Sequence, residues 1–108
     1  MNIRRATRED FRAFYGKAPP MTLRGLVAES STGALGFGGY YLREGVAVAF
    51  SDTLPHMRKR DIVTGARAIM SMVRASGLPV VAATGTSGDT ALRHYGFEPW
   101  GSIYRLAS

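Results

Sequence analysis

The spacing of apolar and polar positions changes several times along the chain, and each change marks an element. Asn2–Ala6 is short and mixed, which predicts an edge strand. Thr7 follows as a helix N-cap whose hydroxyl suits the N–H of Asp10, with Glu9 and Asp10 at the positive end of the dipole. Phe11, Phe14 and Tyr15 fall on one helical face, Gly16 ends the helix, and Lys17–Pro20 forms a rigid linker. Thr22–Glu29, Ala34–Leu42 and Val46–Asp52 are strand-like, separated by the turns Ser30–Gly33 and Arg43–Gly45, so they predict an antiparallel meander. Gly36, Gly38 and Gly39 weaken the middle strand unless another group packs closely on its backbone or it bulges.

The second half has a longer period. Pro55 is placed to open a helix, and Ile62, Ala66, Ile69 and Val73 recur at helical spacing as its buried stripe. Met70 and Met72 widen that stripe as core filler. Gly77 and Pro79 are a stop signal. Leu78–Ala83 reads as a buried, parallel strand. A loop over Thr84–Gly88 leads to a short helix, capped by Ser87 or Asp89 and running through His94, which Gly96 closes. Phe97–Leu106 supplies one or two last strands with a break at Gly101. The order β–α–β–β–β–α–β–α–β predicts a single α/β domain over residues 1–108, its mixed sheet combining an antiparallel N-terminal meander with a crossover-connected C-terminal half.

Composition narrows the chemistry. With no cysteine, a disulfide scaffold, a thiolate metal site and a cysteine nucleophile are excluded. Met1–Arg12 is charged and lacks the apolar segment of a signal peptide, and no run approaches membrane-spanning length, so a cytoplasmic protein is expected. The net charge of +6 points to an acidic partner: a phosphate-bearing cofactor, nucleic acid or an acidic protein surface. The basic residues are dispersed. Arg60, Arg67 and Arg74 lie seven apart on one helical face, which reads as solvated surface and, failing that, as a nucleic-acid surface. No aromatic-flanked basic motif supports nucleic acid as the partner. Trp100 and Tyr104 are candidate interface residues.

The most specific feature is a strand running into a helix through the basic turn Pro55–Arg60, which aims backbone N–H groups and a helix dipole at one spot and suits an anion. The opening IRRATRED, the meander LVAES to ALGFGGYYLREGVAVAFSD, and the late segment ALRHYGFEPWG with its Gly96-Phe97 together resemble the GNAT superfamily of N-acetyltransferases, in a compact form. The pattern also resembles short acetyltransferase-like proteins of bacteriophages, which would place the chain in a host cytoplasm or a virion.

That resemblance implies acetyl-CoA between the fourth and fifth strands and an amine-bearing acceptor. Cofactor contacts would fall to Phe50, Ser51, Thr53, Arg58, Lys59, Arg60 and Thr64. In the family the pyrophosphate sits on a turn with the pattern Gln/Arg-x-x-Gly-x-Gly/Ala. Here Arg58 matches, whereas Asp61 and Val63 occupy the glycine positions, where a phosphate needs to approach bare backbone. Thr64 and Gly65 offer an alternative register. The family's frequent tyrosine acid, four residues before the glycine of Gly-Phe, is Leu92 here; Tyr95 reads as a core aromatic and His94 is the candidate proton donor. Among Glu29, Glu44 and Asp52, the candidate base is Asp52, at the end of the fourth strand. The alternative function is a non-catalytic module that uses the fold for binding or structure, with a protein partner.

Overall fold

The computed structural model describes residues 1–82, 89–100 and 103–107. Its elements are β1 (Asn2–Arg5), α1 (Arg8–Tyr15), β2 (Arg24–Ser30), β3 (Gly33–Arg43), β4 (Val46–Thr53), α2 (Lys59–Ala75), β5 (Val80–Ala82), α3 (Asp89–His94), β6 (Phe97–Trp100) and β7 (Ile103–Leu106). They form one sheet in the order β1-β2-β3-β4-β5-β7-β6, in which β4 and β5 run parallel and every other described pair is antiparallel. The expected last segment is thus a hairpin of two strands. Its break at Gly101, the loop Thr84–Gly88 and the choice between Ser87 and Asp89 as cap lie outside the described residues or side chains.

Alternation along the strands divides the core between the two faces of the sheet. One face carries Val27, Phe37 and Phe50, against which Phe11 of α1 packs. The other carries Ala47, Ala49, Val80 and Ala82 beneath Met70 and Val73 of α2, joined by Leu92 and Tyr95 beside α3. The glycines of β3 make this second packing possible. A methyl on Gly38 would collide with Ile69 of α2, and one on Gly39 would collide with the carbonyl of Arg24. These are the close approaches that glycine in a strand interior signals. A register shift opposite Ala28/Glu29 adds the bulge.

Helix α1 is bounded as its sequence predicts. The Thr7 hydroxyl accepts from the Asp10 N–H at 3.1 Å, and the Asp10 carboxylate accepts from the Thr7 N–H at 2.7 Å, a complete capping box. Gly16 closes the helix in the left-handed conformation. Arg4 of β1 then donates to Asp10 at 2.8 and 2.9 Å and to Glu29 of β2 at 2.9 Å. One guanidinium therefore fastens α1 to the edge of the sheet. The Arg4 hydrogen bonds, followed by the Thr7 N–H, hold the Asp10 carboxyl well below its ordinary value.

Helix α2 departs from expectation at its N-terminus. It starts at Lys59, with Arg58 as N-cap, rather than at Pro55. The reason is Met57. The Leu54 N–H donates to the Leu35 carbonyl and the Met57 N–H to the Leu54 carbonyl, forming a turn that buries the Met57 side chain against Gly36. Ile62 also leaves the expected buried stripe: it is 38 % exposed, and burial begins further along at Met70 and Val73. No helix among the described residues is long and apolar enough to cross a membrane.

Two measurements test this packing. In urea denaturation Gly38→Ala should lower the unfolding free energy by about 1–3 kcal/mol through overpacking against Ile69, whereas Gly65→Ala, with open space where its methyl would go, should raise it by about 0.5–1 kcal/mol through helix propensity. Asp10→Asn should lower the urea midpoint at neutral pH. Because the folded-state value of Asp10 is depressed, that deficit is full above its ordinary value of 3.8 and should shrink as the pH falls below it.

Candidate functional site

Strand β4 continues to Thr53, beyond its described pairing with β5, which comprises the rungs Ala47–Val80, Val48–Val81 and Ala49–Ala82. The Ala47 N–H faces β5 and donates to the Pro79 carbonyl at 2.9 Å. By the two-residue alternation of a strand, the backbone groups of Ser51 and Thr53 face the same way as those of Ala47. Phe50 differs from its neighbours. Its backbone faces β3, opposite Gly39, and its ring lies on the α1 face.

The N-terminus of α2 follows the end of β4 after a short turn. Arg58, as N-cap, makes no side-chain capping bond; its carbonyl takes the N–H groups of both Asp61 and Ile62 at 3.0 Å. The N–H groups of Lys59 and Arg60 precede these and belong to the unsatisfied first turn that attracts anions. Arg58, Lys59 and Arg60 are exposed there. Asp61, in the same turn, forms no ion pair with Arg58 or Lys59 among the described residues. Thr64 lies one turn on, its hydroxyl already donating to the Arg60 carbonyl at 3.0 Å. Beneath these turns a cavity of about 30 Å³, bounded by Gly36, Ser51, Met57 and Ile62, has room for little more than a water molecule. The side of α2 nearer β3 is therefore nearly filled.

On the opposite face Asp52 has a partner that the sequence did not reveal. The Tyr15 hydroxyl of α1 donates to its carboxylate at 2.6 Å, across 37 positions of sequence. Burial, and then the Asp52 carboxylate, push the Tyr15 hydroxyl well above its ordinary value, so it remains a donor throughout the neutral range. The local signals were the placement of Tyr15 on the buried face of α1 and of Asp52 two residues beyond Phe50; nothing local showed that these faces meet.

The structure thus groups Ser51, Thr53, Arg58, Lys59 and Arg60 around the end of β4, with Asp52 alongside. Of the other two candidate acids, Glu29 is held by Arg4 and Glu44 sits in the distant β3–β4 turn. His94 is not brought to Asp52. It ends α3, which packs on the α2 face, and its exposed ring lies 5.1 Å from Tyr95. The row Arg60, Arg67 and Arg74 is interrupted, because Arg74 donates to the Tyr95 carbonyl at 3.0 Å. Tyr104 is partly buried in the core, whereas Trp100 is 53 % exposed with Arg105 stacked over its ring at 5.5 Å.

The Tyr15–Asp52 bond makes a pH prediction. Because the folded-state value of Tyr15 is raised, its contribution to stability is complete below its ordinary value of 10 and is lost as the pH rises above it. Stability measured from pH 8 to 11 should fall more steeply in the natural chain than in Tyr15→Phe, and at neutral pH the variant should be less stable by about 0.5–1.5 kcal/mol.

No family model matches the sequence, and no curated protein matches it significantly. A solved structure from Klebsiella pneumoniae subsp. pneumoniae MGH 78578, of a protein provisionally assigned as an acyl-CoA N-acyltransferase, superposes with a TM-score of 0.66 over 96 % of this chain and 94 % of its own, at 20 % sequence identity. The likeness extends over nearly the whole of both chains, and the protein described above has a GNAT-like fold.

Proposed function

We propose that the protein is a GNAT-type acyltransferase that moves an acetyl group from acetyl-CoA to an amine. The observation that carries this reading is a basic helix N-terminus set directly after β4, on a fold shared with a protein assigned as an acyl-CoA N-acyltransferase. The pantetheine arm would pair with the backbone of Ser51 and Thr53. The pyrophosphate would meet the first turn of α2 and the side chains of Arg58, Lys59 and Arg60, with Thr64 a turn behind.

Transfer needs the acceptor nitrogen unprotonated and aligned with the thioester carbonyl. Asp52, fixed by Tyr15 near the end of β4, would accept the proton of the incoming ammonium. The nitrogen then forms a bond to the acyl carbon, the C–S bond breaks, and the CoA thiolate takes up a proton as it leaves. Positioning supplies most of the acceleration in such a direct transfer, so cofactor binding matters more than any one acid or base. The geometry favours Asp52 over His94, which lies on the other face.

Asp61 works against the pyrophosphate. It is a carboxylate in the turn that would hold a dianion, and no side-chain cation among the described residues neutralises it. Calorimetric titration with acetyl-CoA checks the proposal. Binding should be detectable at about millimolar ligand, Asp61→Asn should tighten it about tenfold, and Arg58→Glu should weaken it by a similar factor. Absence of both heat and a melting shift would overturn the acyltransferase reading in favour of a non-catalytic module. An unchanged affinity in Asp61→Asn would place the pyrophosphate elsewhere.

A further inference from the structure

The α1 face of the sheet holds a second concavity, separate from the α2 turn. A cleft of about 460 Å³ opens between the end of α1, the linker after it, and strands β3 and β4, lined by Phe11, Tyr15, Tyr41, Phe50, Pro19 and Pro20. Its volume lies in the range of small-molecule sites. Its walls are fixed from several directions. Phe50 stands 6.1 Å from Tyr15, 6.2 Å from Tyr41 and 6.4 Å from Phe11, centroid to centroid. The linker is held by Arg8, which donates to the carbonyls of Pro19 and Pro20 at 3.3 and 3.2 Å.

Two charged side chains bear on this aromatic cleft. One is Lys17 in its lining; the other is Asp52, which lies outside the lining on the same strand face as Phe50 and accepts from the hydroxyl of Tyr15, a lining residue. Ring faces and a carboxylate both attract a cation. The aromatic and proline walls suit a flat apolar body, which rings accept edge-on or offset. Lys17 also lines the cleft, and its exposed side chain can lay its stem along the wall while the ammonium stays in water.

We propose that this cleft binds a primary amine with an aromatic body, its ammonium directed at the Tyr15–Asp52 pair and its ring held between Tyr41, Phe50 and the prolines. On the acyltransferase reading this ligand is the acceptor, and that assignment rests on that reading; the binding itself does not. The cleft reaches β4 at Phe50, next to Ser51, which would bring the amine from one face of the sheet to an acyl group held along the end of that strand.

The test is an NMR titration of the full chain with phenethylamine, in the absence of any CoA compound. Saturable shifts should centre on Tyr15, Tyr41, Phe50 and Asp52. 3-Phenylpropionate, of similar body and opposite charge, should bind at least tenfold more weakly, and butylamine should also bind more weakly, by about the contribution of one ring contact. Asp52→Asn and Tyr41→Ala should each weaken phenethylamine about tenfold, with dispersed spectra showing that both variants fold, while Lys17→Ala should bind it at least as well as the natural chain. Phenylpropionate binding as tightly as the amine, shifts centred elsewhere, or an unchanged affinity in Asp52→Asn would overturn the proposal. Butylamine binding as tightly as phenethylamine would overturn the aromatic requirement. A separate acetyl-CoA titration reports on the end of β4 and the α2 turn alone, so failure of either site is seen independently of the other.

Discussion

Among the described residues β4 and β5 run parallel over three rungs, and β4 runs on to Thr53. Much of the molecule follows from that arrangement. Parallel neighbours cannot be joined by a tight turn, so a crossover is needed, and α2 supplies it. The crossover has to start where β4 ends, which sets the first turn of α2 beside the end of that strand. To lie close on the sheet, α2 needs small residues beneath it. Ala47, Ala49 and Ala82 provide them, and Gly38 admits Ile69. A helix N-terminus, a basic cluster and the end of β4 thus arrive at one place as the outcome of a single connection.

The two faces of the sheet are held by different physics. The α2 face is aliphatic and packed by close approach. The α1 face is aromatic, and Phe37 and Phe50, stacked 6.1 Å apart at an interplanar angle of 14°, organise it. Helix α1 is tied down at both ends by charge: Arg4 holds Asp10 at its start, and Asp52 accepts from Tyr15 at its end. Both bonds are partly exposed, so neither contributes much stability alone. Together they fix which way the aromatic face of a short helix points, and a helix of eight residues has little intrinsic stability with which to fix itself.

The parts legible in the sequence are those encoded by local chemistry. Thr7, Asp10 and Gly16 fix the ends of α1, and the meander and the crossover followed from periodicity. The glycines of β3 announced a close approach without saying to what. Where local signals competed with burial, burial prevailed: Pro55 suits a helix start, yet the chain first turns Met57 into the core. The site divided in the same way. The basic turn and the end of β4 are contiguous in sequence and were found from it. The Tyr15–Asp52 bond and the cleft behind it join positions distant along the chain, and no spacing rule connects them. The sequence suggested Asp52 as a base and His94 as a proton donor, and their strand and helix faces lie on opposite sides of the sheet.

The single tryptophan of the chain, Trp100, sits on β6 at the far edge of the sheet, three strands from β4. At the usual strand spacing that is about 14 Å from the aromatic face beside α1. Its indole is half exposed and stacked under Arg105. Emission excited at the red edge of the absorption band therefore reports the state of the β6–β7 hairpin and not of the ring cluster around Phe50. Events in that cluster appear in the tyrosine and phenylalanine bands, to which Tyr40, Tyr95, Tyr104 and Phe97 of the other core also contribute, so the tryptophan band is the one that reports a single place in the molecule.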